Sequence, residues 1–317
     1  MRVTKEKIHL LRKNIQQFGW FIPLSNLLIL YGIRFLPKSI ARKIVNKKHQ
    51  KVEDYLIKEL NSTIESAQAK HFDMEYVENA PIWFCWLQGE ENLPLIPSLC
   101  LKNLKKYSNG HPIHIITLDN YTDYVTIPEH IVQLYESGKI KSAHFADILR
   151  LALLHKHGGL WADATVFLSD TLSDEIFNLP FYSIKTKEHG GYVSRCRWSV
   201  FFLAGWKGNP IFGVALEMFY VYLKNNTNFV DYLMMDYFID ILYKKHKSIK
   251  GMIDKVPYNN AEIYSLRDFL CKEFDAANWA KITKRTQIFK LDWRMYRNGE
   301  LEKNRNNYFV HLSETSN

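Results

Sequence analysis

The stretch HFADILRLALLHKHGGLWADATVFL, residues 144–168, is apolar enough to be buried, yet it carries Asp147, Arg150 and Asp163. A charge taken out of water costs several kcal/mol unless it is paired or has something to bind. Asp147 and Arg150 are three residues apart and share one face of a helix, so by themselves they read as a structural ion pair. Asp163 is harder to explain in that way. It stands alone in LWADATVFL, which reads as an apolar strand, and a lone carboxylate inside a parallel strand points to a site. A helix, a glycine turn and a returning strand would let all three charges converge on one ligand. Carboxylates that accept from hydroxyls, beside a guanidinium that donates to phosphate, suit a polyol and its phosphate.

The elements that must position these residues are legible from periodicity and punctuation. PIWFCWLQG (81–89) and PIHIITLDN (112–120) read as buried strands, and LIPSLCLKNLKKYSNG (95–110) and IPEHIVQLYESGKI (127–140) as helices. Residues 142–157 predict a buried helix that stops at Gly158-Gly159, where a left-handed residue favours glycine. Alternation of this kind predicts a parallel α/β sheet covered on both faces. Ligands bind such sheets at the carboxyl ends of the strands, which singles out Gln88, Asp119, Asn120 and Asp163.

Charge is unevenly distributed. The chain has 317 residues and a formal net charge of +9. Residues 1–50 hold eleven Lys and Arg against Glu6, or +10, so the remainder carries −1. Within this basic segment, FGWFIPLSNLLILYGIRFLP (18–37) is apolar. Its polar residues and the lack of a small-residue cleavage site argue against a spanning helix or signal peptide. The segment is expected to lie on an anionic leaflet, the alternative being a helix packed on the body. Basic residues interleaved with stacking aromatics are missing from the body, so nucleic acid is not expected as a partner. Cys85, Cys100, Cys196 and Cys271 are scattered without a CxxC pair and read as reduced thiols in a cytoplasmic protein.

The central motif carries a resemblance. ADILRLALLHKHGGLWADATV resembles the signature of the capsular polysaccharide synthesis glycosyltransferases, relatives of glycosyltransferase family 32 and of the large clostridial glucosylating toxins. That signature runs Asp-Ile-Leu-Arg, a helix, Gly-Gly, and a strand entering Asp-x-Asp. The likeness covers about residues 80–170, with echoes in GWKGNPIF, VDYLMMDYFI and IFKLDW. It implies an α/β fold of the GT-A type, a Rossmann-like mixed or parallel sheet flanked by helices. This domain would occupy residues 76–317, after a helical, membrane-associated extension over 1–75. The implied activity moves a hexose from a nucleotide-diphosphate sugar to a polyprenyl-linked glycan, with retention, in capsular or other cell-surface polysaccharide synthesis. The implied location is the inner face of the plasma membrane, on its anionic surface.

By the same resemblance, Asp147, Arg150 and Asp163 are the catalytic group. Trp86 stacks near the base and Asn120 joins Asp147 and Arg150 around the donor, to which the strand-end reading adds Gln88 and Asp119 and the motif turn adds Thr165. The resemblance also implies Mn²⁺ or Mg²⁺, held by Asp163, Thr165 and His311 (in YFVHLSE). One departure matters: Thr165 stands where the motif has its second acid, and a hydroxyl is a poor ligand for a hard cation. Asp170 is a candidate substitute. The departure keeps a second reading open, a non-catalytic nucleotide-sugar-binding relative.

Other polar features read as ordinary structure. His144, His155 and His157 are expected to be surface or core residues, and Met234, Met235, Tyr237 and Phe238 core. Arg195, Arg197 and Trp198 follow a glycine turn, read either as an ordinary loop and strand or as an acceptor or diphosphate loop. Asp236 is a candidate for the acceptor side.

Overall fold

The structure, a computed structural model, describes residues 5–186, 192–296, 299–301 and 303–316. Its strands are short: β1 (Ile82–Cys85), β2 (Ile113–Ile116), β3 (Gly159–Ala162), β4 (Val166–Leu168), β5 (Phe181–Ser183), β6 (Phe202–Gly205) and β7 (Ile288–Lys290). Five of them form a sheet in the order β2-β1-β3-β6-β5, while β4 and β7 form a separate antiparallel pair. β1 pairs in parallel with both β2 and β3; β6 runs antiparallel to β3, and β5 antiparallel to β6. The sheet is therefore mixed, with β6 alone reversed. Helices flank it, as expected for the fold class.

The helix Ser142–His157 is buried through Phe145, Ile148, Leu149, Leu151, Leu153 and Leu154. It ends as the glycines require. Gly158 has φ +69° and donates to the Leu154 carbonyl at 2.9 Å. Gly159 has φ +94°, and a Cβ there would sit 2.1 Å from the Pro81 carbonyl oxygen. Only a residue without a side chain lets the chain turn and enter β3 directly alongside β1.

The structure corrects the expectation of one strand over LWADATVFL. β3 ends at Ala162 and β4 starts at Val166 in the other sheet, so Asp-Ala-Thr is the turn between them. The Asp163 N–H donates to the Phe201 carbonyl at 2.9 Å, and its own carbonyl accepts from Val166 N–H at 2.8 Å. These bonds redirect the backbone out of the five-stranded sheet. Asp163 is thus at the carboxyl end of a strand and not inside one.

The N-terminal segment folds as helices Lys5–Phe18, Phe21–Tyr31, Lys38–Glu59 and Asn61–Ala69. Phe18, Ile22, Val52, Leu56, Leu60 and Ile64 enter the same core as Trp83, Phe145 and Phe238, so residue 75 marks no break in the packing. Gln17 Nε2 donates to Asn226 Oδ1 at 2.7 Å, a further tie to the body. Other apolar side chains of the segment stay exposed: Trp20, Leu30 and Phe35 keep 65%, 68% and 74% of their surface. No helix among the described residues is long and apolar enough to cross a membrane. All four cysteines are free.

Candidate active site

Because β1 and β3 are parallel neighbours, their carboxyl ends open on the same side. The first residues beyond them are Trp86 and Asp163. A cleft of ≈ 460 Å³ begins there, and Asp147, Arg150, Thr165, Asp236 and Lys290 contribute to its walls. That volume lies within the range that holds small ligands. Trp86 meets Trp293 edge to face, with ring centroids 5.7 Å apart, and its indole Nε1 is buried with no protein partner. A buried donor without an acceptor is a place for a ligand atom.

Arg150 is the hub. One guanidinium nitrogen donates to Asp147 Oδ1 at 2.9 Å and to Met235 Sδ at 3.4 Å, and the other to Asp163 Oδ1 at 3.0 Å. The group lies over the Trp161 ring at 4.8 Å, and Trp161 Nε1 also donates to Asp163 Oδ1, at 2.8 Å. Lys290 closes the other side. Its Nζ lies 2.8 Å from Asp163 Oδ2 and 2.7 Å from Thr165 Oγ1. The three charges first singled out do converge, with a second cation that the central motif does not contain.

The electrostatics separate the three acids. Burial opposes ionisation of Asp163, but Lys290 and Arg150 outweigh it and hold the carboxyl below its ordinary value. Burial pushes Asp147 up to about 7, against Arg150 and with help from Asp163 and Asp236. Burial likewise pushes Asp236 up to about 6, although it accepts from Trp198 Nε1 at 2.9 Å. Asp236 has no ion-pair partner among the described residues. A carboxylate poised near neutrality in a cleft can take up a proton.

The residues present do not fit a divalent metal. Both Asp163 oxygens already accept N–H groups, and the Thr165 hydroxyl already meets Lys290. Mg²⁺ beside a nucleotide is held by one or two carboxylates together with water and substrate phosphates, and this turn offers a single carboxylate, already engaged by two cations. Among the described residues, no group of three His, Cys, Asp or Glu is arranged to hold one. His311 is in the helix Tyr308–Thr315, stacked on Phe274 with centroids 3.5 Å apart, and does not line the cleft. Asp170 is exposed and accepts from Gln287 and from the Thr171 N–H.

The sequence matches the profile of the capsular polysaccharide synthesis proteins over residues 33–312. The chain belongs to that family. It is also 26% identical, over 161 residues, to the O-glycosyltransferase braB of Annulohypoxylon truncatum. The match covers 46% of this chain and spans only 38% of that relative's length. Among solved structures, the PaToxG glycosyltransferase is similar at a TM-score of 0.36 and 17% identity, over 76% of this chain and 95% of that one. A likeness of that size decides nothing about the chemistry. The family match begins at residue 33, so much of the segment expected to precede the domain falls within it.

Within this family member, three of the residues expected near the donor remain outside the cleft lining. Gln88 and Asp119 are exposed, in the loops after β1 and β2. The Asn120 amide is used by its own loop, accepting from Thr117 N–H at 2.9 Å and donating to the Ile115 carbonyl at 2.8 Å. The histidines are structural, as expected: His144 stacks on Phe229, His155 packs beneath Gly213, and His157 bonds the Tyr124 carbonyl. Met234, Met235, Tyr237 and Phe238 are buried. Lys290, Tyr232, Trp293 and Arg294 line the cleft and were not singled out from the sequence. The quoted IFKLDW contains Lys290 and Trp293, but no local pattern links it to Asp163.

Proposed function

We propose that this chain is a glycosyltransferase that moves a hexose from a nucleotide-diphosphate sugar to a glycan acceptor, with retention of configuration as the family resemblance implies. The observation that carries the reading is the convergence of Asp147, Arg150 and Asp163 beside Trp86 at the carboxyl ends of β1 and β3. Trp86 and Trp293 offer faces for the base. Arg150 and Asp147 orient the sugar hydroxyls, which fixes the anomeric carbon towards the acceptor. Asp236, the acid without a cation, receives the proton of the acceptor hydroxyl.

The exposed apolar side chains of the N-terminal helices support a peripheral site on the inner face of the plasma membrane, where a polyprenyl-linked acceptor would be met. Trp20, Leu27, Leu28, Leu30 and Phe35 are exposed, on a segment that also holds Arg34, Lys38, Arg42 and Lys43. Apolar burial and attraction to anionic lipid reinforce one another in such segments. The full chain should float with anionic liposomes and not with neutral ones at high salt, whereas pelleting with both would remove the membrane from the reading.

Incubation with UDP- and GDP-sugars, followed by mass spectrometry, tests the activity. Transfer or slow hydrolysis of one donor is the expected result. Nucleotide binding with no turnover of any donor would instead make the chain a binding protein.

A further inference from the structure

We propose that Lys290 supplies the fixed positive charge that takes up the departing diphosphate in place of a divalent cation, so that the sugar is transferred without a metal. The proposal rests on the donor reading above and deepens it. Lys290 Nζ stands between Asp163 Oδ2 and Thr165 Oγ1, 2.8 Å and 2.7 Å away. Those are the two side chains that would grip a cation in an Asp-x-Asp turn. With a second acid at position 165, two carboxylates would call for a divalent ion. With Thr165, the single charge of Asp163 on this side is met by one ammonium.

The position of that ammonium is set by the fold. Lys290 ends β7, in register with Val166 of β4, and its backbone N–H donates to the Ile263 carbonyl at 2.7 Å. Its Nζ also lies 5.0 Å over the Phe201 ring. An ammonium has three donors. Asp163 and Thr165 use two, which leaves one for a phosphate oxygen in the cleft. Arg294, four residues on, lines the same cleft over the Trp293 ring at 4.7 Å and has no ion pair among the described residues. β7 and the residues just after it therefore bring two cations to the donor.

In the transfer, the bond between the anomeric carbon and the phosphate oxygen breaks, and its electron pair stays on the diphosphate beside Lys290. The acceptor oxygen bonds the anomeric carbon, and its proton passes to the Asp236 carboxylate. A donor already held where charge develops needs no rearrangement as the bond breaks.

The test is calorimetric titration of the full chain with UDP and GDP, together with turnover of the donor found in the screen, each in EDTA and in Mn²⁺. EDTA should leave both unchanged. Lys290→Met, shown folded by circular dichroism, should lose about tenfold in nucleotide affinity and about a hundredfold or more in turnover. Lys290→Arg should retain the affinity and part of the turnover. Binding or turnover that EDTA removes and Mn²⁺ restores overturns the proposal, as does a folded Lys290→Met with wild-type affinity. Wild-type protein that binds neither nucleotide and turns over no donor overturns the donor reading itself.

Discussion

The cleft at Asp163 and a larger cavity of ≈ 580 Å³ beside the helix Lys38–Glu59 are both walled by ionisable side chains, but they treat charge differently. Around the larger cavity, the acids are held in ion pairs. Arg197 bonds Asp240, Lys244 bonds both Asp240 and Glu53, and Lys48 pairs with Asp231, the last two side chains being only 8% and 4% exposed. Against the effect of burial, Glu53 and Asp240 hold Lys244 protonated above its usual value. In the cleft, Arg150 pairs with Asp147 and Asp163 and Lys290 with Asp163, while Asp236 has no ion-pair partner among the described residues. The acids of the larger cavity are thus held in ion pairs, whereas the smaller cleft keeps Asp147 and Asp236 near their titration point. Volume alone would have singled out the larger cavity.

Mutations should separate the two regions, the largest effect coming from the cleft. Asp163→Asn should lower kcat/KM at least about a thousandfold, near 4 kcal/mol, in a protein that still folds. A variant that keeps more than about a tenth of wild-type kcat/KM would remove Asp163 from the chemistry. Lys48→Met should do the reverse. Stranding Asp231 without its partner should cost about 3 kcal/mol of unfolding free energy in urea while turnover of the folded protein stays unchanged. A drop in turnover at full folding would join the two regions and break the contrast.

The smallest effect sharpens the contrast through pH. The folded Asp236 carboxyl is raised to about 6, so ionising it opposes folding above that pH and makes no difference below about 4. Asp236→Asn should therefore be more stable than wild type at pH 8, by about 1 kcal/mol or a few degrees in melting temperature, and no more stable at pH 4. Its activity should also lose the rise near pH 6. Equal melting temperatures at pH 8 would mean that Asp236 is ionised without strain.

Much of this site is local and therefore readable. The apolar positions around one helix, two glycines that must turn where no side chain fits, and an Asp three residues before an Arg are properties of a short stretch. The places where the structure departs from the local reading share one cause. LWADATVFL has the composition of one strand, and only the bonds to Phe201 and from Val166 show that Asp163 turns the chain from one sheet to another. Asn120 sits at the expected strand end, yet its amide is satisfied by its own loop, which composition does not reveal. His311 matched a short motif, but stacking on Phe274 gives it another place.

The sequence by itself determined the helix, the glycine turn and the order of charged residues along them, because backbone sterics and hydrophobic period act over a few residues. Only the tertiary structure decided what Asp163 meets. Lys290 lies 127 residues further along the chain and reaches it because β4 and β7 pair in one register, Val166 opposite Lys290. That register depends on packing between distant segments, and a shift by one residue would turn the lysine to the other face.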